Sequence, residues 1–154
     1  MPGTTTSTRL IHAPPERVYQ LLIDPGAVQQ WKVPNGMASH VHEFDARVGG
    51  RFRVSLTYEA PDSVGKTSAH TDTYHGHFVS LVPQSLVVES VEFETTDPAM
   101  SGEMTVTYKL SPAGGGTELV AVHEGVPDGV RLSDNEYGWR MSLDKLAGLA
   151  ESAD

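Results

Sequence analysis

The chain has 154 residues, 11 basic and 20 acidic side chains, a formal net charge of −9, and no cysteine. The missing thiols exclude disulfides, thiolate zinc sites, iron–sulfur clusters and a cysteine nucleophile. The negative field disfavours nucleic acid and anionic membrane as partners.

At this length one domain is expected, and a hydrophobic fraction of 38% leaves room for a polar or hollow interior. The first residues, MPGTTTST, have neither a basic region nor an apolar core, so no signal peptide is expected. No apolar run approaches the roughly 20 residues that span a bilayer. A cytoplasmic protein is the expectation.

In chain order, the β-branched run 5–12, ending near Leu10 and Ile11, predicts a first strand. Pro14-Pro15-Glu16 opens a helix, because proline suits a first turn and an acidic side chain suits the positive helix end. Val18, Leu21 and Leu22 form its buried face, and Asp24-Pro25-Gly26 stops it. A second short helix is expected from about Pro25 to Trp31. Strands then follow at 38–45, 51–59, 71–81, 86–94, 103–110 and 117–124, with a polar loop at 60–69. In the second of these six, Phe52, Val54, Leu56 and Tyr58 alternate with Arg51, Arg53, Ser55 and Thr57, so they share one face. The short, Gly- and Pro-rich connections imply antiparallel hairpins. Arg47, Arg51 and Arg53 form the one local basic cluster and read as a solvated rim or pocket feature, not a nucleic-acid footprint.

The last segment, 133–150, is the single long helix. Trp139, Leu143, Leu146 and Ala150 recur at spacings of four, three and four, which puts them on one face. Ser133 and Glu136 have the spacing of a capping box. Gly138 costs helix propensity, so a close approach to a neighbouring strand is expected there. Six hairpin-linked strands make a curved sheet, and this helix fills its concave face and closes a cavity.

Several motifs in order then resemble a known family. They are Ile11-x-Ala13-Pro14-x-Glu16-x-Val18-Tyr19, Asp24-Pro25 followed by Trp31, and Asp45-x-Arg47-x-Gly49-Gly50-x-Phe52. Gly76-x-Phe78-Val79-x-Leu81-x-Pro83, Gly116-Thr117-x-Leu119, and Gly138-Trp139 with Ser142-Leu143-x-x-Leu146 complete the set. Together they resemble the START-type helix-grip (SRPBCC) superfamily, in the branch named after activators of the heat-shock protein 90 ATPase. The resemblance implies an α+β, Bet v 1-like fold: a seven-stranded curved antiparallel sheet around a long C-terminal helix, with two short helices after strand 1. It implies a cavity for an apolar or amphipathic small molecule, with no cofactor and no established catalysis. A chaperone partner is implied only weakly, since the eukaryotic activators carry an additional N-terminal domain. An exposed edge strand permits a homodimer.

The cavity candidates are Trp31, Phe52, Val54, Tyr58, His75, His77, Glu89, Trp139 and Leu143. Glu89 shares a strand face with Val87, Val91 and Phe93, where desolvation raises a carboxyl pKa and suits it to acid–base work. His40 with His42, His75 with His77, and His12 with His123 on the first and seventh strands are candidate metal pairs. Each lacks a locatable third ligand, so no metal is expected, and Glu43 is expected on the face opposite His42. No nucleophile elbow or phosphate loop is present. The leading expectation is a ligand-binding domain. An enzyme acting on a hydrophobic substrate, of cyclase or hydrolase type, and a co-chaperone-like interaction module are the alternatives.

Overall fold

The chain runs through β1 (Gly3–Ile11), α1 (Pro15–Leu22), α2 (Pro25–Trp31), β2 (Met37–Phe44), β3 (Arg51–Tyr58) and β4 (Thr71–Val82). It continues through β5 (Leu86–Phe93), β6 (Met104–Ala113), β7 (Gly116–Val126) and α3 (Leu132–Glu151). The computed structural model describes residues 3–58 and 71–152, so the loop expected at 60–69 and the strand end at Glu59 lie outside it. Pro15 opens α1, and the Asp24 carboxylate caps α2 by accepting from the Ala27 N–H at 3.0 Å.

All seven strands form one antiparallel sheet in the order β1-β7-β6-β5-β4-β3-β2. Strands β1 and β2 are therefore opposite edges, and α1 with α2 carries the chain from one to the other. Two motif glycines are required by this sheet. A Cβ on Gly76 would collide with the Ser90 carbonyl of β5, and one on Gly116 with the Ile11 carbonyl of β1.

Helix α3 packs closest to β1, α2 and α1. It buries Trp139, Leu143, Leu146, Ala147 and Ala150 against a core that includes Ile11, Phe78, Val87 and Leu119. Because the helix lies toward the β1 edge, the concave face of β3–β6 beside it is only partly covered. That offset creates the cleft described below.

The start of α3 differs from the capping-box expectation. The helix begins at Leu132 with Arg131 at the N-cap and no side-chain cap bond. Ser133 is thus already helical and lacks the extended backbone that a capping residue uses. Gly148, on the exposed side of α3, has no atom within 4 Å of an added Cβ. Gly148→Ala should raise stability by about 0.5–1 kcal/mol, seen as a higher melting temperature. A lower one would contradict the helix at this position. No helix among the described residues is long and apolar enough to cross a membrane.

Candidate functional site

Helix α2 ends at Trp31, whose indole N–H donates to the Leu21 carbonyl at 2.9 Å. That bond fixes the ring in the core, where it is 1% exposed. The next residue, Lys32, turns inward from the helix end. Its ammonium donates to Glu89 Oε1 at 2.9 Å, with the two side chains 15% and 5% exposed. Four aromatic rings surround it: Lys32 Nζ lies 6.0 Å from the ring centroid of Phe52, 5.5 Å from Tyr74, 5.7 Å from Tyr108 and 6.0 Å from Trp139. The negative faces of those rings and the Glu89 carboxylate together compensate a buried cation. Burial opposes the charged form, yet the facing Glu89 carboxylate holds the Lys32 pKa well above its ordinary value. Lys32 is thus a hydrogen-bond donor and not an amine nucleophile.

The hydroxyls of Tyr74 and Tyr108 are buried; that of Tyr74 has no hydrogen-bond partner among the described residues, and that of Tyr108 has only Lys32 beside it. Burial pushes both tyrosine pKa values up; the Glu89 charge adds to this and Lys32 opposes it. Both phenols remain protonated. A buried polar group without a partner is rare enough to need a reason.

His123 of β7 is a further polar group of this region. The Trp139 indole N–H donates to His123 Nδ1 at 3.0 Å, and the Asn135 amide nitrogen lies 3.1 Å from the same atom. Asn135 also donates to Thr5 Oγ1 at 2.8 Å. An indole N–H only donates, so Nδ1 must carry the lone pair. The proton then resides on Nε2, which sits 3.0 Å from Met104 Sδ. Burial, and secondarily the Lys32 charge, lowers the His123 pKa to about 4. This histidine is neutral, and its lone pair is already used.

Between α3 and the sheet lies a cleft of about 720 Å³. Met37, Leu56, Val91, Phe93, Met104 and Val106 give it apolar walls, while Lys32, Tyr74, His123 and Asn135 supply polar groups. Asp97, Arg131 and Asp134 add charge to the lining from the loops and the first turn of α3. The cleft therefore offers a long apolar surface with a donor-rich patch on it.

Of the cavity candidates, Tyr58 and Trp139 line this cleft. Phe52, Val54 and Glu89 point inward and are buried, with Phe52 and Glu89 at the Lys32 cage. Trp31 and Leu143 are core residues, each 1% exposed. Leu143 belongs to the packed stripe of α3 and does not line the cleft.

His75 and His77 are placed otherwise than expected. Their β4 neighbours Tyr74 and Phe78 are buried inward, so the pleat directs both histidines to the convex face. There they line an outer groove with Arg51, Arg53, Glu92 and Glu94. His75 Nε2 lies 2.9 Å from Glu92 Oε1 and Nδ1 lies 3.0 Å from Glu94 Oε2, while Arg53 donates to both Glu94 oxygens at 2.8 and 2.9 Å. The Arg53 hydrogen bonds hold the Glu94 pKa below the usual carboxylate value, against the opposing effect of burial.

His40 and His42 share a face as expected, whereas Glu43 and the pair His12 with His123 need correction. A register shift between Val41 and Glu43 places His42 and Glu43 on the same convex side, where plain alternation would have separated them. His40 and His42 stack edge-on with centroids 4.6 Å apart. Strands β1 and β7 are neighbours, but His123 faces Thr5 and His12 lies beyond the opposite end of β1, past Ile11. Among the described residues no group of three or more His, Asp or Glu can hold a metal ion.

Gly138 has no strand near it: the nearest atom to an added Cβ is Pro34 Cγ at 4.0 Å. It lines the cleft. Its missing side chain keeps that space open.

Lys32 is the site residue that sequence reasoning missed. The available signal was Glu89, since a carboxylate on an apolar strand face requires a buried counter-charge.

A family model described as activator of Hsp90 ATPase homolog 1-like protein matches residues 12–151. A crystal structure of a protein from Chromobacterium violaceum is similar over 97% of this chain and 97% of that one, with 34% identity and a TM-score of 0.86. A Rhizobium loti protein matches over 96% of both chains, with 27% identity and a TM-score of 0.74. A protein from Mycobacterium smegmatis, 19% identical, shares the fold over 98% of this chain and 91% of that one, with a TM-score of 0.76. No curated protein matches the chain.

Proposed function

The chain belongs to the family of activator of Hsp90 ATPase homolog 1-like proteins, and from that membership we propose that it binds a small amphipathic molecule in the cleft between α3 and the sheet. The observation that carries this reading is one arrangement. An apolar cleft of about 720 Å³ has a buried ammonium on its lining, fixed by Glu89 and ringed by aromatics. Ligand pockets of this size combine broad apolar walls with a few fixed polar groups that orient the bound molecule. The apolar body of the ligand lies along Met104, Val106 and Phe93, and its polar end reaches Lys32 and Tyr74.

Proton-transfer chemistry is less well supported than binding. Lys32 is committed to Glu89, and the His123 lone pair is committed to Trp139. Neither is free to act as a base.

Gly138 supplies the test. Gly138→Leu places a branched side chain where only Pro34 lies within 4.0 Å, so the helix is kept and the cleft is filled. A neutral apolar fluorophore such as N-phenyl-1-naphthylamine should bind the unaltered protein and bind Gly138→Leu at least ~10-fold more weakly, about 1.4 kcal/mol. Equal binding to both proteins, or no binding to either, would reject the cleft as the ligand site.

A further inference from the structure

We propose that the inner end of this cleft is an oxyanion site, which takes an acidic hydroxyl, a phenol or conjugated enol, in its ionised form. The inference rests on the binding role proposed above and adds the chemical class and charge state of the ligand.

An ammonium has three N–H groups, and Glu89 occupies one of those on Lys32. The Tyr74 hydroxyl has no partner among the described residues and the Tyr108 hydroxyl has Lys32 alone beside it, so both O–H groups are left to donate, and their rings lie 5.5 and 5.7 Å from the same nitrogen. Unspent donors therefore converge on one place in a buried setting. The nearby acceptors are already engaged in part or in full: Glu89 Oε1 by Lys32, and His123 Nδ1 by Trp139 and Asn135. Asp72 also lines the cleft and has an interaction partner of its own.

Donors without acceptors select a ligand atom that brings negative charge. Charge-assisted bonds to an oxyanion are shorter and stronger than neutral ones, and low-dielectric surroundings strengthen them further. The rings of Tyr74 and Trp139, which line the cleft beside Lys32, favour a flat conjugated body behind that oxygen. A phenolate or enolate presents one charged oxygen to the donors. A phosphate would bring further charge up against Glu89. On binding, the O–H bond of the ligand breaks and its proton passes to bulk water, with no change in redox state.

The experiment uses 4-nitrophenol, whose absorption distinguishes phenol from phenolate, at a pH about one unit below its own pKa. About a tenth is ionised in free solution there. The bound molecule should show the phenolate spectrum for half or more of the population, which corresponds to a tenfold or greater shift of its ionisation equilibrium. Tyr74→Phe and Tyr108→Phe should each lower that bound ionised fraction, and Glu89→Gln should raise it by removing the opposing charge. Thermal unfolding of each variant reports that it is folded. A neutral bound spectrum, or an ionised fraction indifferent to all three substitutions, would overturn the oxyanion site and leave the binding role standing. If the neutral naphthylamine binds and the nitrophenol does not, only the oxyanion site falls; if neither binds, both readings fall.

Discussion

Lys32→Met should lower the free energy of unfolding by about 3–5 kcal/mol, because it leaves the Glu89 carboxylate buried without its partner. The cost comes less from the lost attraction than from the uncompensated charge at a site only 5% exposed. The double variant Lys32→Met with Glu89→Leu should recover most of that loss, since an apolar pair of similar volume removes the desolvation penalty of both ions. Urea titration of the three proteins measures it. A single variant costing under about 1 kcal/mol, or a double variant as unstable as the single, would contradict a buried pair.

The Lys32 half of the pair places its pH dependence on the alkaline side. A lysine whose pKa is raised in the folded state gives stability that is complete below its unfolded pKa. That stability is lost only as pH rises through the raised folded value. The loss therefore belongs to the strongly alkaline range.

His123 should produce the opposite pH dependence. Its folded pKa is about 4 against an ordinary 6.5, so protonation favours the unfolded chain. The stability involved is complete above the unfolded pKa and is lost as pH falls from about 6.5 through about 4. The full difference amounts to about 3 kcal/mol. Protonation cannot be accommodated in place, because Nδ1 already accepts from the Trp139 indole and Nε2 faces Met104 Sδ. His123→Asn keeps an acceptor near the Nδ1 position and removes the titration. Unfolding free energies of both proteins between pH 7.5 and 4.5 provide the comparison, and the advantage of the native protein should shrink steadily on acidification. A constant difference across that range would show that His123 does not titrate as a buried neutral group.

Much of the fold was legible because its signals are periodic. The alternation of Phe52 and Val54 with Arg51 and Arg53 gave β3 its inward face, and the stripe Trp139-Leu143-Leu146-Ala150 gave α3 its buried side. The site was legible only in fragments. Parity alone does not say which side of a sheet is concave, so it pairs His75 with His77 on one face without saying that this face is the convex one. Their aromatic neighbours Tyr74 and Phe78 carried the missing information. The bulge between Val41 and Glu43 was invisible, because an extra residue leaves no trace in the composition of a strand. Lys32 escaped notice for a different reason. It lies just past a helix end, where neither the helical nor the strand period assigns a direction, and its partner is 57 residues away. Gly138 in sequence implies a contact point and in the structure is a space: the same residue type answers both needs, and only the neighbouring atoms distinguish them.

The central claim is that a ligand occupies the concave cleft beside Lys32 and Trp139, not the charged groove on the convex face. Nuclear magnetic resonance of the nitrogen-labelled protein, titrated with the neutral naphthylamine, tests this most directly through the two tryptophan indole signals. Trp139 lines the cleft and Trp31 is sealed beneath it. The Trp139 indole and the residues around Lys32 should shift in a saturable way, with the backbone amides of His75 and His77 unmoved. Shifts centred on His75, His77 and Arg53 with Trp139 unchanged, or no shifts at any concentration, would contradict the account.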